Sequence, residues 1–226
     1  MTDSSVPLDD APPDVAAGAA GYTPKALSMY DQWVLGFYAK RMWRCPNEEI
    51  IALYNENVSG NHLDVGVGTG LFLDRCRFPT ARPKITLLDL NPNCLTYVAQ
   101  RISRYAPATL AASVLEPIPL PAASFDSIGL NYVLHCLPGP MSRKAVALKN
   151  LRVLLKDGGV LFGATLLGKD WAPSLPAWLA MRAFNYKGFF SNRQDDLRGL
   201  ESALRELFKH TSVRMIGGMA VFTART

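Results

Sequence analysis

The sequence has little of what metal centres, disulfide frameworks and membrane spans require. It contains four cysteines and three histidines, and the cysteines lie far apart without any Cys-x-x-Cys pair. This spacing argues against structural zinc and against disulfide bonds, so we expect no metal and reduced, mostly buried thiols. No stretch reaches the roughly 18 consecutive apolar residues that a transmembrane helix needs, and none is expected.

Long blocks of like charge are also absent. The net charge is +5, but the Lys and Arg residues are spread along the chain, which favours a solvated basic surface over a nucleic-acid site. We therefore expect no nucleic-acid partner, and, because no spanning segment is predicted, no membrane partner. The 226 residues, 49% hydrophobic and 19% charged, fit one globular domain with a full core. We expect a cytoplasmic monomer or homodimer.

The most informative stretch is a strand-like run that ends in glycines. Asp64 is followed by Gly66, Gly68 and Gly70, and a helix is expected from Leu71. Glycine tolerates the positive φ of a tight turn and lets a ligand lie against bare backbone. The free N–H groups of the following helix then face that ligand. The spacing is G-x-G-x-G, which differs from the G-x-G-x-x-G of dinucleotide-binding folds.

A second acid stands at the tip of the next predicted strand. The apolar run from Ile85 ends in Asp89, one strand–helix–strand crossover after Asp64. An acid at that position is suited to accept both hydroxyls of a ribose, and Leu90 beside it offers an apolar face for an adenine. The alternative interpretation is a structural acid that caps the following helix.

The third and fourth predicted strands end at the same edge of the sheet. The third covers residues 109–113, which places Ser113 and Val114 at its end, and the fourth covers residues 127–130 and leads into Asn131. Ligands of open parallel sheets bind beyond the carboxyl ends of the strands. The loop after Asn131 therefore faces the reacting group.

Two polar rings in that loop are the candidate catalytic residues, Tyr132 and His135. His135 is a candidate general base because its unperturbed pKa near 6.5 suits proton removal at neutral pH. The alternative is that His135 orders the loop without a part in the chemistry.

The glycine motif and Asp89 together resemble the cofactor motifs of class I S-adenosylmethionine (SAM)-dependent methyltransferases, from about Tyr30 to the end of the chain. The resemblance implies a three-layer α/β/α Rossmann-like fold whose seven-stranded sheet has an antiparallel last strand. It implies SAM as the cofactor and Asp64 as the residue that holds the amino end of its methionine part through the turn. Predicted SAM contacts are Asp64, Gly66, Val67, Gly68, Thr69, Gly70, Asp89, Leu90, Ser113, Val114, Asn131 and Tyr30.

Two aromatic segments frame this predicted domain. Residues 1–21 are expected to be a flexible tail, residues 22–57 a helical cap within the single domain 22–226, and residues 168–208 an insert that forms the acceptor pocket. The Tyr30-Asp31 pair of the cap resembles the N-terminal segment of quinone-biosynthesis C-methyltransferases. The alternative is that the aromatic rings only seal the core. Predicted substrate contacts are Tyr22, Trp33, Trp171 and Tyr186.

The end of the chain is predicted in more local detail. Residues 156–159 are expected to form a turn before a fifth strand, and Ser191 or Asn192 to cap a helix that runs to Leu207. Residues 211–216 and 220–224 flank Gly217-Gly218 as a hairpin.

The resemblance implies transfer of a methyl group from SAM to a small organic acceptor, with oxygen or nitrogen favoured, in specialised or quinone-like metabolism. One alternative is an RNA or protein methyltransferase, although residues 131–134 lack the Asn-Pro-Pro-Tyr run of enzymes that methylate amino groups of nucleic acids and glutamine. The other is a SAM-fold binding protein without methyl transfer.

Overall fold

A seven-stranded sheet with the order β3-β2-β1-β4-β5-β7-β6 forms the centre of the molecule. The computed structural model describes residues 23, 26–27 and 31–226, without the side chains of residues 32–34. The strands are β1 Asn61–Val65, β2 Lys84–Asp89, β3 Ala108–Ala111, β4 Phe125–Asn131, β5 Leu155–Leu166, β6 His210–Ile216 and β7 Met219–Arg225. The first five pair in parallel, whereas β7 is antiparallel to both β5 and β6. The predicted antiparallel last strand is confirmed.

Helices cover both faces of the sheet. The N-terminal helix, Asp31–Met42, has π-type hydrogen bonding. It is followed by α1 Asn47–Asn57, α2 Leu71–Arg75, α3 Pro92–Arg101, α4 Met141–Leu154, α5 Leu175–Tyr186 and α6 Leu197–Leu207. One apolar cluster joins α1, α2, α3 and α5 to one face of the sheet, and a second joins α4 and α6 to the other. This is the predicted three-layer arrangement.

The period-two pattern of the strands explains the two clusters. In β5, Val160 and Phe162 point into the first cluster, whereas Leu161 between them belongs to the second. Alternate side chains of a strand face opposite sides, so a strand buried on both faces is apolar throughout. Of the helices that the structure describes, none has the length and apolarity to cross a bilayer.

Two local predictions need correction. The helix α6 is capped by Asp196, whose side chain accepts the N–H of Gly199 at 2.8 Å, and not by Ser191 or Asn192. Residues 156–159, predicted as a turn, lie within β5 as a bulge. Phe125 pairs with Leu155 and Ser127 pairs with Val160, so two steps along β4 correspond to five along β5. The predicted hairpin is confirmed. The tail predicted for residues 1–21 lies outside the described residues.

Candidate functional site

Two adjoining clefts lie beyond the carboxyl ends of β1, β2 and β4. The first has a volume of about 660 Å³ and the second about 450 Å³, both including space open to solvent, and both are bordered by Gly66, Gly68 and Tyr132. Predicted SAM contacts that line the first cleft are Gly66, Gly68, Asp89, Leu90, Ser113 and Val114. Those that line the second are Asp64, Gly66, Val67, Gly68, Thr69, Gly70 and Asn131. The structure therefore brings together every predicted SAM contact except Tyr30, which lies outside the described residues.

The three glycines of the turn serve different purposes. All three have positive φ: 65° at Gly66, 52° at Gly68 and 70° at Gly70. A Cβ on Gly66 would lie 2.2 Å from a methyl of Val133, and one on Gly70 would lie 2.6 Å from a methyl of Val98. A Cβ on Gly68 meets nothing within 4 Å. Gly66 and Gly70 therefore allow close packing of the protein, and Gly68 keeps space open in both clefts.

This difference predicts opposite outcomes for two alanine substitutions. Gly68→Ala should fold, at a cost of about 1–2 kcal/mol for a Cβ in the left-handed region, but bind S-adenosylhomocysteine about tenfold more weakly because the methyl group occupies the cleft. Gly66→Ala should lose about 1–3 kcal/mol more stability through overpacking against Val133. Thermal denaturation and calorimetry measure both effects. Equal stability of the two variants, or undiminished binding by Gly68→Ala, would contradict this assignment.

Asp64 is buried, and two polar side chains, Tyr54 and His62, lie next to its carboxylate. The Tyr54 hydroxyl donates to Asp64 Oδ1 at 2.6 Å, and His62 Nε2 lies 3.5 Å from the same oxygen. Burial, and next the Asp64 carboxylate, raise the pKa of Tyr54 and keep its hydroxyl protonated as a donor. A Cβ on Gly129 would lie 2.6 Å from Asp64 Oδ1, so β4 must carry glycine there. Neither Tyr54 nor Gly129 was among the site residues predicted from the sequence.

Asp89 is tied to the backbone around it. The Asn91 N–H donates to Asp89 Oδ1 at 2.8 Å. Burial raises the pKa of Asp89 to about 6, although hydrogen bonds from the N–H groups of Asn91, Gly68 and Val67 act in the opposite direction. The following helix α3 is capped by Asn91, whose Oδ1 accepts the N–H of Asn93. Helix capping therefore does not account for Asp89.

The end of β4 presents a buried amide and a strained tyrosine. The buried Asn131 side chain lies near the Tyr54 hydroxyl, and its two polar atoms lack a full set of hydrogen bonds among the described residues. A buried amide with unmet hydrogen-bonding capacity is costly, so this side chain is suited to bind a polar ligand group in the second cleft. Tyr132 has a φ of 60°, and its ring stacks on Phe72 at 6.0 Å. Strain in a non-glycine residue concentrates at functional sites.

His135 is buried and lines neither cleft. Its Nδ1 accepts the backbone N–H of Leu166 at 3.2 Å. Burial, and next the Lys144 ammonium, lower the pKa of His135 to about 3. The ring is therefore neutral, and because Nδ1 is the acceptor, the proton resides on Nε2. This tautomer cannot take up a proton at Nε2, which favours the loop-ordering alternative over the general base.

A buried ion pair that the sequence did not reveal holds the loop around His135. Lys144 of α4 donates to Asp195 Oδ2 at 2.5 Å and to the Ser191 carbonyl at 2.8 Å, and both charged side chains are 0% exposed. The Ser191 N–H donates to the His135 carbonyl at 2.8 Å. Asn192 donates to the carbonyl of Leu166. The loop from Ser191 to Asp195 thus fixes the ends of both β5 and the His135 turn.

The predicted substrate contacts are dispersed. Trp171 is half-buried, donates its indole N–H to the Leu167 carbonyl and packs edge-on against Trp43 at 6.4 Å. Tyr186 is 88% exposed at the end of α5. Neither lines a cleft, so the structure gives no support to a pocket formed by these two rings. Tyr22 and the side chain of Trp33 lie outside what the structure describes.

The N-terminal helix is joined to the glycine turn through Asp31. The Thr69 hydroxyl donates to Asp31 Oδ1 at 2.5 Å, and Arg101 Nη1 donates to Asp31 Oδ2 at 2.6 Å. Arg101 also donates to the Thr69 carbonyl at 3.1 Å. Leu35 from the same helix lines the second cleft. The predicted cap therefore contacts the turn itself.

The sheet order, the glycine turn and the two strand-end acids define a class I SAM-dependent methyltransferase, and comparison with known proteins agrees. The "Methyltransferase domain" family matches residues 63–161. Demethylluteothin O-methyltransferase of Streptomyces thioluteus is 40% identical over 212 residues, 94% of this chain and 92% of the relative. The physcion biosynthesis cluster O-methyltransferase of Aspergillus chevalieri is 37% identical, covering 92% and 94%. This chain belongs to the class I SAM-dependent methyltransferases.

A solved structure shares the fold at low sequence identity. The N-methyltransferase NodS of Bradyrhizobium japonicum, determined with S-adenosylhomocysteine, superposes with a TM-score of 0.54 at 19% identity and covers 78% of this chain and 82% of NodS. As a member of the SAM-dependent methyltransferases, to which the family match and the 40% identical relative assign it, this chain uses SAM as its cofactor. No group of three or more potential metal ligands occurs within the ranges that the structure describes.

Proposed function

We propose that this enzyme methylates a hydroxyl oxygen of a small, largely apolar acceptor in specialised metabolism. The observation that carries this proposal is the similarity, over more than nine-tenths of the chain, to relatives named as O-methyltransferases. The aromatic side chains around His135 support an apolar acceptor. Phe190 lies 4.8 Å from the His135 ring, and Phe184 lies 5.1 Å from Phe190. A cytoplasmic location and the absence of a nucleic-acid partner remain predictions.

The residues of the two clefts fit SAM. We assign the ribose hydroxyls to Asp89, the adenine to the apolar first cleft beside Leu90 and Val114, and the methionine end to the second cleft. The buried Asn131 amide supports the last assignment, because a polar ligand group would complete its hydrogen bonds. Asp64 would bind the amino group of the methionine end. Its carboxylate is held in position for this by the hydrogen bond from the Tyr54 hydroxyl.

SAM supplies a methyl group that its sulfonium already activates, so the protein's main task is to align the acceptor with it. Tyr132 lines both clefts and so presents a polar ring to each of them. His135 holds the turn behind Tyr132 and keeps one tautomer through Leu166. Burial raises the pKa of the neighbouring Cys136 thiol to about 12, so it remains protonated. An acceptor hydroxyl acidic enough to ionise by itself suits such a site.

His135→Asn tests whether His135 is a base. We expect the single-turnover rate to stay within about threefold of the wild type, far from the loss of about 10²–10⁴ expected on removal of a general base. Stability should fall by about 1–3 kcal/mol, since the Leu166 N–H loses its acceptor. The rate should show no titration step from His135 between pH 5 and 8, because its pKa is about 3. A large loss of rate, together with loss of a titration step from the pH profile of the rate, would instead identify His135 as the general base.

An assay with SAM carrying a labelled methyl group tests the function itself. The acceptor panel contains phenols and enols, amines of similar size, tRNA and a protein extract. We expect label in the phenols or enols only, on oxygen. Label in the amines would assign N-methylation, and label in tRNA or protein would favour the macromolecular alternative. Tight binding of S-adenosylhomocysteine without label in any acceptor would favour a binding protein.

A further inference from the structure

The helix α5 has two apolar faces. Its inward face packs into the core through Ala177 and Met181, while Phe184 contacts Tyr38 at 5.5 Å. Its outward face carries four exposed large apolar side chains at helical spacing, with exposed fractions of 69%, 41%, 52% and 88%: Leu175, Trp178, Leu179 and Tyr186. We call these four residues the outward stripe. A helix whose second apolar face is exposed to solvent lacks a partner for that face.

The charge around the outward stripe has one sign. The Arg182 guanidinium lies 4.9 Å from the centre of the Trp178 ring, and Lys187 is exposed directly after the helix. Between Asp170 and Asp195 the chain has no acidic residue and three basic ones. The N-terminal helix, which contacts α5 through Tyr38 and Phe184, also exposes Phe37 by 43% and has two basic residues in its last turn. An anionic partner complements this surface.

A second copy of the chain complements it poorly. Two-fold symmetric packing of α5 on α5 would bring two copies of Arg182 and of Lys187 together, and no acidic residue of this segment could pair with them. A lipid surface needs no matching shape. Trp and Tyr side chains favour the headgroup region, and long basic side chains reach the phosphates while their stems stay apolar.

We propose that the outward stripe docks the enzyme on an anionic lipid surface, with Arg182 and Lys187 at the phosphate groups. This differs from the expectation of no membrane partner, which rested on the lack of a spanning segment. Docking through α5 also brings the aromatic side chains around His135, which support an apolar acceptor, close to the lipid. Phe184 of α5 contacts Phe190, and Phe190 contacts His135. For an apolar acceptor, as in the proposed function, the bilayer is a natural reservoir.

Co-sedimentation of the full chain with vesicles tests the proposal. The vesicles are phosphatidylcholine alone or phosphatidylcholine mixed with phosphatidylglycerol. We expect at least about tenfold stronger partition onto the anionic vesicles, reduced at high ionic strength. The variant Leu175→Ser/Trp178→Ser/Leu179→Ser should lose binding by on the order of 100-fold. Arg182→Glu/Lys187→Glu should lose the preference for anionic vesicles.

A matched control comes from α4, which exposes Val146 and Val153 by 42% and 55% on a helix that also carries exposed basic residues. Val146→Ser/Val153→Ser should bind vesicles like the wild type. Each variant should still bind S-adenosylhomocysteine, which shows that it is folded. Vesicle binding is then measured without an acceptor, so the result does not depend on whether the proposed methyl transfer is correct. Absence of vesicle binding, equal binding to both vesicle types, or equal loss in the control would overturn the proposal. A dimer abolished by the triple serine variant would assign the stripe to a second copy instead.

Discussion

Lys144→Met is expected to lower the free energy of unfolding by about 3–5 kcal/mol, among the largest effects of any single substitution in this protein. Methionine keeps most of the side-chain volume but leaves Asp195 buried without its positive partner. The Asp195 Oδ1 atom already has no hydrogen-bond partner among the described residues, so no second hydrogen bond replaces the one that Lys144 donates. Burial raises the pKa of Asp195 and lowers that of Lys144, and the charge of each partner opposes the shift of the other.

A double-mutant cycle separates the ion pair from simple packing. Lys144→Met/Asp195→Leu should recover most of the stability, because replacing both members of a buried pair by apolar groups is often neutral or better. Urea denaturation of the four proteins measures the coupling. The double variant should still lose activity, since the Ser191 carbonyl loses the Lys144 donor and the His135 turn is less firmly held. Additive losses of stability would show that Lys144 and Asp195 do not stabilise each other.

Asp89→Ala is expected to weaken SAM binding by on the order of 10–150-fold, since a hydrogen bond to a charged group contributes about 1.5–3 kcal/mol. The pH dependence gives a sharper test. Because the pKa of Asp89 is about 6, the wild-type affinity should fall as the pH drops below 6 and the carboxylate takes up a proton. Asp89→Asn should bind weakly but lose that pH dependence. Calorimetry with S-adenosylhomocysteine from pH 5 to 8 measures both.

The same raised pKa has the opposite consequence for stability. The folded protein holds the Asp89 proton more tightly than the unfolded chain does, with a pKa of about 6 against 3.8. The stabilisation is therefore fully present below about pH 3.8 and is lost as the pH rises through 6. At pH 7, Asp89→Asn should hence be at least as stable as the wild type while binding less cofactor. A folded Asp89→Ala variant with unchanged affinity would remove Asp89 from the ribose site.

The cofactor edge was predictable because its signals are local. Asp64, the glycines and Asp89 each stand at a strand end, and strand ends of a parallel sheet meet at one edge. Ser113 reaches the cofactor edge even though the predicted end of its strand was inaccurate. The strand β3 ends two residues earlier than predicted, at Ala111, and Ser113 still lines the first cleft.

The acceptor side was less predictable because its signals are distant in the chain. Lys144 and Asp195 are 51 residues apart, and a lysine on an amphipathic helix is ordinarily exposed. The prediction that Tyr186 contacts substrate rested only on its place in an aromatic-rich segment. In the structure it lies on the exposed face of α5, together with Leu175. For His135 the sequence allows a general base or a loop-ordering residue. Burial of the ring away from both clefts and the Leu166 N–H on its Nδ1 favour the second.

The contact of Asp31 with Thr69 and Arg101 has a consequence for how ligand affinity and folding of the cap are linked. The helix that begins at Asp31 is anchored on the turn that borders both clefts. If a ligand in those clefts stabilises the turn, it stabilises the docked helix, and linkage requires the reverse effect to be equal in size. Substitutions in this helix at positions outside the clefts can then change cofactor affinity, by the same free energy with which the cofactor changes the docking of the helix.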